Sequence, residues 1–268
     1  MSAVARARLL PLGTNGYFPS AGRQTMAFLV AAPGVALLLD GGSGLARLDE
    51  PAARELLAGV ERVDLLLSHF HLDHVVGISY LPALLAGHRL RIFAPDVALV
   101  PAGGDALERL LSPPLFPLPL ARWPIPVEVV RYGAPALAIG PFQVRLRAQQ
   151  HPGGSVGFRI DDLLAYVTDS IVDPRTVDLV RGVGMLLHEV WLDDAEAARS
   201  DPKTAGHSSA TAVAELARQA GVGRLVPVHH HPRRDAAALA RMAAAMAPVA
   251  GCPVELPVEG RPLELVAP

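Results

Sequence analysis

The sequence predicts a mixed α/β protein in which helices cover sheets. Short apolar runs of strand length recur along the chain, amphipathic helical periods fall between them, and 51% of the 268 residues are hydrophobic, enough for one sizeable core or two small ones. Met26 to Val30 and Val35 to Leu39 read as paired strands turning at Pro33-Gly34. Leu65 to Leu67, Leu90 to Ala94 and Val127 to Val130 read as further strands. Phe142, Val144, Leu146 and Ala148 alternate with Gln143, Arg145, Arg147 and Gln149, the period of a half-exposed strand. Phe158 to Ile160, Leu164 to Val167, Met185 to Leu187 and Leu225 to Val228 complete the set. Helical patterns fit His74 to Leu85, Ala210 to Gln219 and Asp235 to Met246, where Leu239, Met242 and Met246 share one core-facing stripe.

No repeat and no linker-like block divides the chain, so residues 1–268 are expected to form a single domain. The formal charge is −2, from 24 basic and 26 acidic residues, which excludes recruitment of nucleic acid or anionic membrane by bulk attraction. Only one of those basic residues, Lys203, is a lysine. A single cysteine, Cys252, rules out an internal disulfide and a cysteine-based zinc site. The longest uncharged stretch, Gln24 to Leu39, is too short to span a membrane, and Met1 to Leu12 lacks a secretory apolar run, so a soluble cytoplasmic protein is expected. Prolines concentrate between Pro113 and Pro126, predicting a stiff surface loop. Phe116 and Trp123 within it serve either packing or a wall over a substrate.

The sharpest signal is Ser68-His69-Phe70-His71-Leu72-Asp73-His74, which follows an apolar strand directly. In an extended segment residues two apart point the same way, so His69 and His71 can converge on one cation. A helix beginning near Asp73 turns Asp73 and His74 toward a second, adjacent position. Imidazole and carboxylate donors suit zinc, with manganese or iron as substitutes. Four residues cannot complete two coordination shells, so further ligands are expected at strand ends downstream. His151, Asp169 and His229 each stand there, and the carboxylate of Asp169 could bridge the two ions.

Glu189 and His207 occupy similar places, the latter in Gly206-His207-Ser208-Ser209 before a helix. A helix start offers N–H groups to anions, which places His207 beside an anionic substrate as proton donor to a leaving group. Glu189 either partners His207 or orients a ligand histidine.

These motifs, with Leu12-Gly13-Thr14, Gly22-Arg23, Leu39-Asp40-Gly41-Gly42-Ser43-Gly44 and Leu187-His188-Glu189, give a chain that resembles the metallo-β-lactamase superfamily, in its ribonuclease Z-like and phosphodiesterase branch, from residue 9 to about 233. The resemblance implies a four-layer αββα sandwich with a two-metal site along one edge of its sheets. It implies His69, His71 and His151 as ligands of one metal, Asp73, His74 and His229 as ligands of the other, and Asp169 shared. Asp40 resembles a residue that supports the motif loop, and Gly13 and Gly41 to Gly44 resemble positions of close backbone approach. The tRNA-processing members carry a long arm between the positions of His151 and Asp169. Here that interval is the 17 residues Pro152 to Thr168, which argues against tRNA as substrate.

The reaction expected is hydrolysis of a small or cyclic phosphodiester by a hydroxide bridging two divalent ions, with Asp73 also orienting the nucleophile. A metallohydrolase acting on a lactone, sulfate ester or thioester is the second reading. A non-enzymatic binding or biosynthesis-accessory protein is the third. A homodimer is the assembly this branch often forms.

Overall fold

The computed structural model describes residues 7–200 and 206–268, so Arg6 and Lys203 lie outside the described residues. Among the described residues, thirteen strands form two sheets. β1 (Arg8–Gly13), β2 (Ala27–Ala32), β3 (Val35–Leu39), β4 (Arg62–Leu66), β5 (Arg89–Pro95) and β6 (Val127–Tyr132) run side by side in chain order, with β13 (Leu263–Glu264) beside β1. The second sheet has the order β12-β11-β10-β9-β8-β7, built from β7 (Ala136–Ile139), β8 (Phe142–Gln149), β9 (Ser155–Ile160), β10 (Leu164–Val167), β11 (Met185–Glu189) and β12 (Leu225–Val228). β3 to β6 pair in parallel, as do β10, β11 and β12, while the hairpins pair antiparallel. Parallel neighbours bring the C-terminal ends of their strands to one edge, where their loops can share a cleft.

Alternation along each central strand divides the apolar residues among three cores. Leu37, Leu39, Leu66, Phe158, Tyr166, Leu187 and Val226 fill the space between the sheets. Leu38, Leu65 and Leu67 face outward beneath the helix Pro51–Leu57 and its neighbours. Ala165, Val167, Leu186 and Leu225 face outward on the other side beneath the helices Ala210–Ala220 and Ala236–Ala250. Both faces of each sheet are therefore covered, which explains strands that read as continuous apolar runs. The result is the four-layer αββα sandwich.

The expected helix over His74 to Leu85 is instead a turn of α-helix at Leu72–Val75, a 3-10 segment at Val76–Tyr80 and a second α turn at Leu81–Leu84. Gly77 presses so closely on the Gly41-Gly42 turn that a Cβ there would lie 2.0 Å from the Gly42 carbonyl oxygen, and Pro82 lacks the N–H a continuous helix would use. β1, β7 and β13 have no counterpart in the sequence reading. In the proline-rich segment, Trp123 is buried in the outer core of the first sheet, with the Phe116 ring 5.7 Å away, so both aromatics pack. None of the described helices is long and apolar enough to cross a membrane.

Candidate metal centre

All seven of the expected ligand residues meet at the shared strand edge. The motif loop leaves β4, His151 follows β8, Asp169 follows β10 and His229 follows β12. Donor atoms of His69, His71, His151 and Asp169 lie within 4.8 Å of one another, as do those of Asp73, His74 and His229. Asp169 faces both groups. Its Oδ1 is 3.4 Å from His151 Nε2 and 4.0 Å from His69 Nε2, while its Oδ2 is 3.0 Å from His74 Nε2 and 3.3 Å from His229 Nε2.

The imidazole orientations follow from their far nitrogens. Asp40, fully buried after β3, accepts from the Ser68 N–H, the Ser68 hydroxyl, His74 Nδ1 and the Tyr166 hydroxyl. Because the Ser68 proton is spent on Asp40, its oxygen accepts from His69 Nδ1 at 2.9 Å. His151 Nδ1 donates to the Gly206 carbonyl at 3.1 Å. Each far nitrogen so engaged turns Nε2 inward, where it can serve as a ligand atom. His71 presents Nδ1 instead, 3.3 Å from His151 Nε2.

Asp40, Asp169 and His229 adopt φ values of 57°, 47° and 53°, the left-handed region that side chains other than glycine seldom occupy. Each directly follows, or lies within two residues of, a strand end. Three such residues in one cleft mark a place where tertiary packing holds strain on behalf of the site. Gly16 supports it from outside: a Cβ there would lie 2.4 Å from the His229 ring.

The donor set fits two cations. His69 Nε2, His74 Nε2 and His229 Nε2 are buried with no hydrogen-bond partner, an arrangement that costs free energy unless something else engages them. Among the described residues, Asp40, Asp73, Asp169 and Glu189 pair with histidines but with no arginine, so their buried charge calls for positive charge from elsewhere. Burial holds the His69, His71 and His151 rings below the ordinary histidine range, which keeps them neutral and able to coordinate. Burial also opposes charge on His74, but Asp169, Asp73 and Asp40 around it prevail and draw a proton onto the ring, a positive charge that a cation would replace. Asp169 stays well below the carboxylate range because His229, His74 and His69 outweigh its burial.

Glu189 and His207 form a second layer. Glu189 is fully buried; its Oε1 accepts from the Ser170 and Ser208 N–H groups and its Oε2 from His207 Nδ1 at 2.8 Å, with His229 Nδ1 3.7 Å away. Of the two partners read for Glu189, His207 is hydrogen-bonded to it, whereas His229 Nδ1 is buried without a hydrogen-bond partner. Burial disfavours the His207 imidazolium, but Glu189, with Asp169 and Asp73, raises its pKa above the ordinary value.

The start of the helix Ala210–Ala220 differs from the expectation of free donors there. The Ala210 N–H goes to the Leu192 carbonyl, the Thr211 N–H to Asp194 and the Ser208 N–H to Glu189. A carbonyl and two carboxylates from other elements satisfy these groups first, so an anion would rely on His207 and the cations. Sequence reasoning missed Trp191, whose ring stacks on His207 at 4.9 Å and lies 5.4 Å from His229. Its signal was its place two residues after Glu189. It also missed Tyr166, which ties Asp40 to the second sheet, and Tyr17, whose N–H donates to Asp73 Oδ2 at 2.7 Å.

Comparison with known proteins agrees with this geometry. The family described as "Beta-lactamase superfamily domain" matches residues 36–230. The chain belongs to that family. It is a metallo-β-lactamase-fold hydrolase of the ribonuclease Z-like branch. It is 30% identical to a ribonuclease Z of Mycolicibacterium gilvum over 245 residues, covering 82% of this chain and 83% of that protein. It is 27% identical to a ribonuclease Z of Methanopyrus kandleri over 269 residues, covering 84% and 87%. Among solved structures, the metallo-β-lactamase fold protein YhfI from Bacillus subtilis superposes with a TM-score of 0.77 at 22% identity, covering 97% of this chain and 99% of that one. The YhfI likeness bears on the fold.

Proposed function

We propose that the protein is a two-metal phosphodiesterase acting on a small or cyclic phosphodiester, as a single cytoplasmic hydrolase domain. The observation that carries this reading is Asp169, whose two oxygens address two separate sets of inward-facing imidazoles. In this reading His69, His71 and His151 hold one ion, Asp73, His74 and His229 hold the other, and Asp169 is common to both. The ions, with zinc suited to these donors and manganese or iron as substitutes, supply Lewis-acid charge to the phosphoryl oxygens and acidify water when bound.

The chain's own groups then divide the remaining work. Asp73, fixed by the Tyr17 N–H, would hold the second ion and orient the nucleophile. His207 donates a hydrogen bond from Nδ1 to Glu189, and in the imidazolium form that Glu189 favours it carries a second proton on Nε2 to give to the departing oxygen. Glu189 is a positioning residue, because it touches His207 and not the substrate. Trp191 restricts the tilt of the His207 ring by stacking on it.

The curated relatives are ribonucleases Z by name. A smaller substrate is supported here by the interval between His151 and Asp169, which two short turns and the two core strands β9 and β10 consume, leaving no protruding arm. The test is a metal assay combined with a hydrolysis screen. About two divalent ions per chain and faster turnover of bis(p-nitrophenyl) phosphate than of lactones, sulfate esters or thioesters are expected. Preference for one of those other esters would move the reading to it, and full activity in chelator would end it.

A further inference from the structure

We infer that Tyr17 and Phe18 form a stacking platform for a flat unsaturated ring carried next to the substrate's phosphodiester, an aryl group or a nucleobase. The inference deepens the phosphodiesterase reading and rests on it.

Tyr17 has a φ of 64°. A bulky residue there costs about 1–2 kcal/mol relative to an ordinary conformation, and a glycine would adopt it freely. The service this residue renders to the metal centre is a backbone one, its N–H to Asp73 Oδ2 at 2.7 Å, which any residue can provide. Its side chain contributes little to the core, being 73% exposed. Neither folding nor ligand support therefore accounts for a tyrosine at this position, and the side chain must act on something outside the protein.

The surroundings indicate what that is. The Phe18 ring meets Tyr17 edge-on at 5.3 Å between centroids, a geometry that fixes the tyrosine ring while both remain exposed. Leu72, between His71 and Asp73 in the motif, is 66% exposed. Tyr17 and Phe18 thus stand exposed where the chain meets Asp73, and Leu72, the residue before Asp73, is exposed as well. A ring bound here would stack on the aromatic pair while its phosphodiester reaches the ligand cluster. Base and aryl stacking need only a π-face, so the platform accepts either ring.

Calorimetry on the metal-loaded protein with phenyl phosphate, adenosine monophosphate and methyl phosphate tests this, alongside turnover of bis(p-nitrophenyl) phosphate by the wild type. The wild type should bind one or both ring-bearing phosphates more tightly than methyl phosphate, by on the order of tenfold. Tyr17→Gly and Phe18→Ala should each reduce that preference, and Phe18→Ala should leave methyl phosphate binding unchanged. Metal content should stay the same, and the Tyr17→Gly melting temperature should be equal or higher, which a structural role would not allow. Preference for phenyl phosphate alone identifies an aryl group, and preference for the nucleotide alone a nucleobase. No preference in the wild type, or equal weakening of all three phosphates in both variants, overturns the platform. Ring preference without any diester turnover upholds the platform and overturns the phosphodiesterase reading instead.

Discussion

Asp73, His74 and His229 sit in a cradle braced from several directions, whereas His71 on the other side of Asp169 is exposed to solvent. His74 hangs from Asp40, which is itself held by Ser68 and by Tyr166 of the opposite sheet. His229 lies between Gly16 and Trp191, and Asp73 is fixed by the Tyr17 amide. In the other set, His69 leans on Ser68 and His151 on one carbonyl at Gly206. The difference teaches that the site opens on the His71 side, where a substrate can enter, while His74 and His229 are enclosed by packing. Rigid partners behind a ligand raise its affinity for a metal, typically by 10- to 100-fold.

The strongest way to break this comparison is to remove the residue that both groups share. Asp169→Ala should abolish the distinction, lowering metal content from about two ions per chain toward none and turnover by at least about a thousandfold, measured by elemental analysis and steady-state kinetics. Retention of one tightly held ion would show that the sets are independent.

Removing one brace and one exposed ligand separates the two sides. Asp40→Ala leaves the Tyr166 and Ser68 hydroxyls and His74 Nδ1 without their buried acceptor, so denaturant unfolding should show a loss of about 3–5 kcal/mol. His71→Ala should change stability of the metal-free protein by no more than about 0.5 kcal/mol while abolishing most turnover with the fold retained. Equal destabilisation by both would contradict a division between packed and open ligands.

Smaller effects are expected behind the ligands. His207→Ala should lower turnover by about 100- to 10,000-fold, most for substrates with poor leaving groups, with metal content preserved. Glu189→Gln should follow it in direction. Metal loss in step with turnover would make both residues structural supports. The gentlest probe is a chelator titration followed by metal analysis: the ion on the His71 side should leave first, giving two steps, and a single step would show equal affinities.

Much of this was legible in the chain. The strand before Ser68, the alternation that sends His69 and His71 one way, and the strand ends at His151, Asp169 and His229 are local features, and the structure brings these side chains together. The helix expected after His74 failed for a non-local reason, since Gly77 and the Gly41-Gly42 turn are distant in sequence and touch only after folding. The free donors expected near Ser208 failed similarly, because Leu192, Asp194 and Glu189 arrive from other elements to take them. Trp191, Tyr166 and Gly16 carried no motif of their own. Each matters through the residue it meets.

The sequence by itself determined the layered α/β class, the family and the set of donors, because side-chain alternation and strand-end position depend on neighbours a few residues apart. Tertiary structure alone decided which oxygen of Asp169 faces which imidazoles, how Asp40 sets their orientation, and why a tyrosine stands strained at the lip of the cleft. Those are relations between atoms far apart in the chain, fixed only when two sheets close on one another and exclude the water that would otherwise satisfy each polar group separately.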